Sequence, residues 1–276
     1  MNSFDASTQV ERSTDDPGVS TGSFDGSWQV GNGINGGVVL STTARGLAAA
    51  LGDDRHPDPL AITGTYLSAS TAGPLTVTAE VARRGGSISS GTATLAQPDA
   101  AGALQTRAIV QGVFGDLSQL PDDSEVRRDP PQMPAPEDCL PATMAPPHIT
   151  ESAKYLNNLD LRFDPATVQW ALGQPARRGM IQAWVRFPDG REPDPFALLF
   201  LVDCLPPVLA DFGRFGWSPT LQLSAYIRAR PAPGALLVRH ETEHVSGGQF
   251  EEDVRIWDSE GTLVAQGRQL ARTPRA

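Results

Sequence analysis

Asp203, Thr220 and Gln269 are residue types that could do chemistry together: a carboxylate able to take a proton, with a hydroxyl and an amide able to orient the proton's owner. Asp203 is the most informative of the three. Its neighbours are Leu198, Leu199, Phe200, Leu201, Val202, Cys204 and Leu205. An unpaired carboxylate in such a run is costly to bury, so it is paired, protonated or set in a polar cavity. A structural role stands beside that reading, because an aspartate bonded to backbone freed by Pro206 needs no function. Taken singly, Thr220 and Gln269 are ordinary strand residues.

The segment Gly31-Asn32-Gly33-Ile34-Asn35-Gly36 matches a dinucleotide-binding spacing. Downstream of it the chain reads as one helix and then a run of antiparallel strands, without alternating strand–helix units. The match is therefore better explained as a flexible approach to a helix that begins at Gly36 and Gly37. The free backbone N–H groups of that helix start can hold an anion or a developing oxyanion. No Walker A pattern occurs. His240 and His244 have a spacing that would bind zinc on a helix. On a strand, residues four apart are separated by about 13 Å, so these two are expected to be exposed strand histidines, and no metal site is expected.

The elements that must position these residues repeat themselves. Tyr66-Leu67-Ser68-Ala69 aligns with Tyr226-Ile227-Arg228-Ala229, 160 positions on. Gly102-Ala103-Leu104 aligns with Gly261-Thr262-Leu263 at an offset of 159, a slip that a hairpin loop absorbs. Under these offsets Asp203, Thr220 and Gln269 correspond to Thr43, Leu60 and Val110 (or Ile109), so the chemistry belongs to one copy. In the first copy a helix at 36–51, with Leu40, Ala44, Leu47 and Leu51 on one face, precedes strands at 60–68, 75–83, 87–97 and 104–114. Turns at Gly73-Pro74, Gly85-Gly86 and Asp99–Gly102 separate those strands. In the second copy, strands at 159–163 and 179–187 precede a helix at 196–212, kinked near Asp203 by Pro206 or broken after Leu205. Further strands are expected at 221–228, 235–244, 249–258 and 263–273. A first strand is expected at 23–30.

The resulting organisation is α+β: residues 1–21 disordered or loosely attached, a first unit at 22–117, a proline-rich linker or surface wrap at 118–150, and a second unit at 151–276. With 276 residues, 39% hydrophobic and 20% charged, the chain is long enough for two ordinary domains. A net charge of −10 disfavours nucleic-acid and anionic-membrane partners. The N-terminal residues lack a basic region and an apolar core, so no secretory signal is expected. The longest apolar stretch, 196–210, is too short to span a membrane. Lys154 is the only lysine among 22 basic residues, a bias that coding composition explains as well as function does. Cys139 and Cys204 read as unpaired thiols of a reducing, cytoplasmic compartment. A homo-oligomer is compatible with the chain, and no sequence feature fixes its order.

One central helix wrapped by an antiparallel sheet, twice in one chain, resembles the double hotdog fold. The segments Phe200-Leu201-Val202-Asp203, Pro219-Thr220-Leu221 and Leu263-Val264-Ala265-Gln266-Gly267-Arg268-Gln269 are similar to those of the acyl-CoA thioesterase II family and its actinobacterial members. That family carries an Asp on its second hotdog helix, a Thr at the start of the next strand and a Gln on the last strand, which together hold a hydrolytic water. Asn35-Gly36-Gly37 resembles its Gly-Gly helix start. The resemblance spans about residues 22–117 and 155–273. It departs after Thr220, where Leu221-Gln222-Leu223 stands in place of an Asp-His pair.

The resemblance implies a hydrolase that cleaves acyl-CoA thioesters without metal or organic cofactor. Asp203 would be the general base, Thr220 and Gln269 would orient the water, and Gly36 and Gly37 would contact substrate, with the Gly37 N–H at the oxyanion. The partner would be a small-molecule acyl-CoA. A non-catalytic acyl-CoA binder on the same fold is the alternative. A hydratase or dehydratase ranks last, because no histidine lies within ten residues of Asp203 or Thr43.

Overall fold

The computed structural model describes residues 3–121, 124–127, 129–145 and 151–274. Helix α1 (Ser3–Thr8) leads into β1 (Glu11–Arg12) and β2 (Val19–Phe24). A short 3-10 turn at Gly26–Trp28 comes next, then β3 (Gln29–Val30) and β4 (Gly33–Ile34). The strand expected at 23–30 is therefore interrupted. Its cause is Asp25, whose carboxylate accepts from Ser27 N at 2.7 Å and caps the turn.

Helix α2 (Gly36–Leu51) begins at Asn35, whose Oδ1 accepts from Val38 N at 3.1 Å, and ends at Gly52 with a left-handed φ of 53°. The expected meander is present as β5 (Asp58–Tyr66), β6 (Gly73–Arg84), β7 (Ser89–Pro98) and β8 (Leu104–Gly115). In the second half β9 (Leu140–Pro141), β10 (Asp160–Phe163) and β11 (Met180–Arg186) precede helix α3 (Pro195–Leu201). The remaining strands are β12 (Thr220–Ile227), β13 (Leu236–Glu241), β14 (Val245–Ser246), β15 (Gln249–Trp257) and β16 (Leu263–Arg272).

Fourteen strands form one antiparallel sheet in the order β1-β2-β6-β7-β8-β5-β12-β16-β15-β13-β11-β10-β9, with β14 added beside β15. The halves meet at β5 and β12, which pair from Ala61↔Tyr226 to Thr65↔Gln222. Outward from that junction lie β8, β7, β6 and β2 on one side and β16, β15, β13 and β11 on the other. Helix α2 packs across β5, β6, β7 and β8, and α3 packs on α2, β5 and β12. Leu40, Ala44, Leu47 and Leu51 face the core as expected. Val38, Val39, Thr42 and Thr43 are buried too, because α2 is covered on its other side by α1 and α3.

Helix α3 is much shorter than the element expected at 196–212. It stops at Leu201, and a separate 3-10 segment occupies Val208–Phe212. Pro206 and Pro207 exclude helical backbone at the residues before them and remove two N–H donors. The carboxylate of Asp203 is thereby placed just beyond a helix end.

The N-terminal segment also differs from expectation. It is packed, not loose. Phe4 is fully buried, 5.5 Å from the rings of Phe187 and Phe200 and 5.9 Å from Trp28. Asp5 bridges Arg45 at 3.3 Å and Arg191 at 2.9 Å. A polar composition hid one large anchor, and a single buried Phe supplies several kcal/mol against the entropy of ordering a short helix. Within the proline-rich 118–150, residues 122, 123, 128 and 146–150 lie outside those described. Its described part reaches the second half, where Trp184 Nε1 donates to Pro134 O at 2.9 Å and β9 pairs with β10. Among the described residues no helix is long and apolar enough to cross a membrane.

Phe4→Ala should lower unfolding free energy by about 3 kcal/mol, the usual cost of deleting a buried aromatic ring. Urea denaturation measures this, and a loss below about 1 kcal/mol would mean that the segment lies outside the cooperative fold.

Candidate active site

Asp203 stands where the end of α3 meets the start of α2. Its Oδ2 accepts from Gly37 N at 2.9 Å. Its own backbone carbonyl accepts from Asn35 Nδ2 at 2.9 Å. Asn35 therefore caps α2 with its oxygen and grips the other half with its nitrogen. Ser41 adds a third tie, donating to Phe196 O at 2.9 Å. The approach is close enough to require glycine. A Cβ on Gly37 would fall 2.5 Å from Phe200 O and 3.0 Å from Asp203 Cβ, and one on Gly36 would fall 3.0 Å from Asp203 Oδ2. Tyr66 closes the same corner by donating its hydroxyl to Gly36 O at 2.7 Å. Burial and the neighbouring Asp203 carboxylate push that phenol well up.

The other two expected residues lie together. Gln269 is inward-facing on β16 and 5% exposed. Thr220 opens β12 and donates to Gln269 Oε1 at 2.7 Å. The inward positions of β12 are Leu223, Ala225 and Ile227, a parity that excludes residue 220. A bulge between Thr220 and Gln222 reverses the parity, so Thr220 pairs with the inward Ala271. Thr220 and Gln269 are thus brought together, whereas Asp203 bonds to neither. Gly36 and Gly37 lie beside Asp203, and the Gly37 N–H is engaged by its carboxylate. A role for that N–H at an oxyanion requires the bond to be given up.

Two further groups complete the cluster. Glu252 is the register partner of Gln269 across β15 and β16, and it is 1% exposed. Gln269 Nε2 donates to Glu252 Oε2, and Val208 N donates to Oε1 at 2.5 Å. His240, expected to be exposed, is fully buried with Nδ1 3.6 Å from Glu252 Oε2, while His244 is exposed beyond the end of β13. The signal for both buried residues was in the alternation. Leu236, Val238 and His240 share one parity on β13, and Phe250, Glu252, Val254 and Ile256 share one on β15. Among the described residues no group of histidine, cysteine and carboxylate side chains could hold a metal.

The electrostatic result is a carboxyl matched to neutral pH. Burial first and the Glu252 carboxylate second raise Asp203, the Gly37 N–H, His240 and the Gly36 N–H pull it down, and the balance stands at about 7. Asp203 nevertheless keeps some exposed surface. Such an acid can exist as base or as acid near pH 7.

A raised carboxyl also costs stability when it ionises. The folded state binds the proton more tightly than the unfolded state, so Asp203 lowers stability as pH climbs from about 4 to about 7. Asp203→Asn should therefore match wild type near pH 3, where the carboxyl is protonated folded and unfolded, and be more stable than wild type at pH 8 by about 3–4 kcal/mol. An aspartate that serves only as a cap would give a variant that melts lower at both values.

The chain matches the family descriptions "Acyl-CoA thioesterase N-terminal domain" over residues 24–115 and "Acyl-CoA thioesterase C-terminal domain" over residues 136–273. An uncharacterized protein of Mycobacterium tuberculosis is 29% identical over 300 residues, covering 99% of both chains. The structure of a candidate thioesterase II from Thermobifida fusca is similar at 27% identity and a TM-score of 0.85, covering 100% of this chain and 98% of that one. A conserved protein of unknown function with hot dog fold, from Alicyclobacillus acidocaldarius, is similar at 21% identity and a TM-score of 0.83, covering 100% and 99%.

Proposed function

The chain belongs to the acyl-CoA thioesterase family, and from that membership we propose that it hydrolyses acyl-CoA thioesters with a water activated by Asp203. The observation that carries this reading is the Asp203 carboxyl, tuned to about 7 and partly open to solvent at the junction of the two halves. In this reading the fold is a double hotdog, with residues 22–117 and 151–276 as its repeats.

Asp203 takes one proton from the water as its oxygen adds to the thioester carbonyl carbon. Thr220 gives its hydrogen to Gln269, which leaves its oxygen lone pairs for the water's second hydrogen. Gln269 has one N–H beyond the one it donates to Glu252, and that N–H orients the water's oxygen. The tetrahedral intermediate then collapses, breaking the carbon–sulfur bond. Asp203 returns the proton to the departing thiolate, which leaves as CoA, and the acid is released. The thioester carbonyl oxygen needs a donor during addition. The Gly37 N–H can turn to it once Asp203 is protonated and holds that bond less strongly.

Asp203→Asn should reduce thioester hydrolysis by at least about a hundredfold, the low end for loss of a general base. Thr220→Ala and Gln269→Ala should lose less, because solvent replaces part of a single orienting bond. Activity of the wild type should rise with pH through about 7 and then level, since the base must be ionised. A thiol-trapping assay over short, medium, long and branched acyl-CoAs measures all of these. A wild type that binds but cleaves none of them is a binding protein, and an Asp203→Asn variant as active as wild type rules out the mechanism.

A further inference from the structure

We infer that Glu252 is a positioning residue for hydrolysis: its buried carboxylate locks the Gln269 amide in the one orientation that makes Thr220 a donor to it. This rests on the thioesterase reading. An ionised carboxylate only accepts hydrogen bonds. Facing Glu252 Oε2, Gln269 must present its NH2 group, and its carbonyl oxygen is then turned to Thr220. Without that acceptor the amide could rotate by half a turn, Thr220 would accept from it, and the Thr220 hydrogen would point into the water's place.

The carboxylate is itself fixed at both oxygens. Oε1 holds Val208 N, the first residue of the short 3-10 segment after Pro207, and Oε2 holds Gln269. With 1% exposure, no water competes for these bonds. His240 stands 3.6 Å from Oε2, with neither ring nitrogen hydrogen-bonded among the described residues. Glu252 also acts on Asp203 through space, as a like charge that disfavours ionisation. The titratable groups that face Asp203 are Glu252, His240, Tyr66, Tyr155 and Cys204. Of these, Glu252 is the carboxylate, so its removal predicts a single direction of change.

The test compares wild type, Glu252→Gln and Glu252→Asp. Glutamine has one acceptor oxygen for two donors and carries no charge. Glu252→Gln should lose about tenfold in kcat, the worth of one well-placed hydrogen bond, with KM within about twofold of wild type. The midpoint of its pH–rate profile should move to lower pH. Glu252→Asp keeps the charge but is one methylene short, so kcat should fall while the midpoint stays; it also carries the comparison should the glutamine variant fail to fold. A merely structural glutamate would leave kcat and midpoint at wild-type values in every folded variant, and that result overturns the inference. NMR of the Gln269 side-chain amide supplies a readout independent of turnover. Its protons should exchange slowly in wild type and rapidly in Glu252→Gln, and equal exchange in the two also overturns it. A wild type inert toward every acyl-CoA refutes the hydrolase reading, and the amide exchange then decides the Glu252 lock by itself.

Discussion

The bond from Gly37 N–H to the Asp203 carboxylate is the constraint on which the rest of the molecule depends. It requires the start of one helix to touch the end of another, with backbone against side chain and no Cβ between them. Such an approach fixes several choices at once. Gly37 must be glycine, a Cβ on Gly36 would crowd the Asp203 carboxylate, α3 must end at Leu201, and two prolines must keep it from continuing. Asn35 is the hinge of the arrangement, because each end of one amide serves a different half. The long sheet, with β5 paired to β12 at its centre, holds both helices on the face where this meeting can occur.

Electrostatically the site is a compromise between two carboxylates. Glu252 has both oxygens satisfied and full burial. Asp203 has one helix-start N–H group at hydrogen-bond distance and some solvent. The proton of Asp203 is poised near neutrality. The reason is that hydrogen bonds to the ionised form hold a carboxyl down while desolvation and like charge drive it up. On the proposed mechanism, activity and stability are opposed at Asp203, since the ionised state a base needs is the one the fold tolerates least.

Much of this was legible in the residues. The meander strands of both halves could be read from alternation and turn glycines, and most boundaries fell within two residues. Asp203 stood out because an acid inside an apolar run has few bland explanations. The features that escaped did so for physical reasons. Residues 3–8 look polar, and Phe4 is the one large apolar anchor among them. His240 and Glu252 were hidden by charged neighbours on the opposite strand face, although their parity with Val238 and Val254 pointed inward. The bulge that turns Thr220 inward is a matter of register between strands, and one strand's sequence does not contain it.

The two halves are joined in one polypeptide, and that freedom has a geometric consequence. Thr43, 160 positions before Asp203, returns its hydroxyl to Val39 O within its own helix at 2.7 Å. The first half therefore presents glycine N–H groups to the junction and the second presents acid. Two identical chains meeting about a twofold axis could not divide the work in this way, because rotation would duplicate every donor and every acid. Covalent linkage releases the pair from that symmetry: each half is free to specialise, and the junction has a polarity, with a donating side and an accepting side, that no homodimer of equal halves can possess.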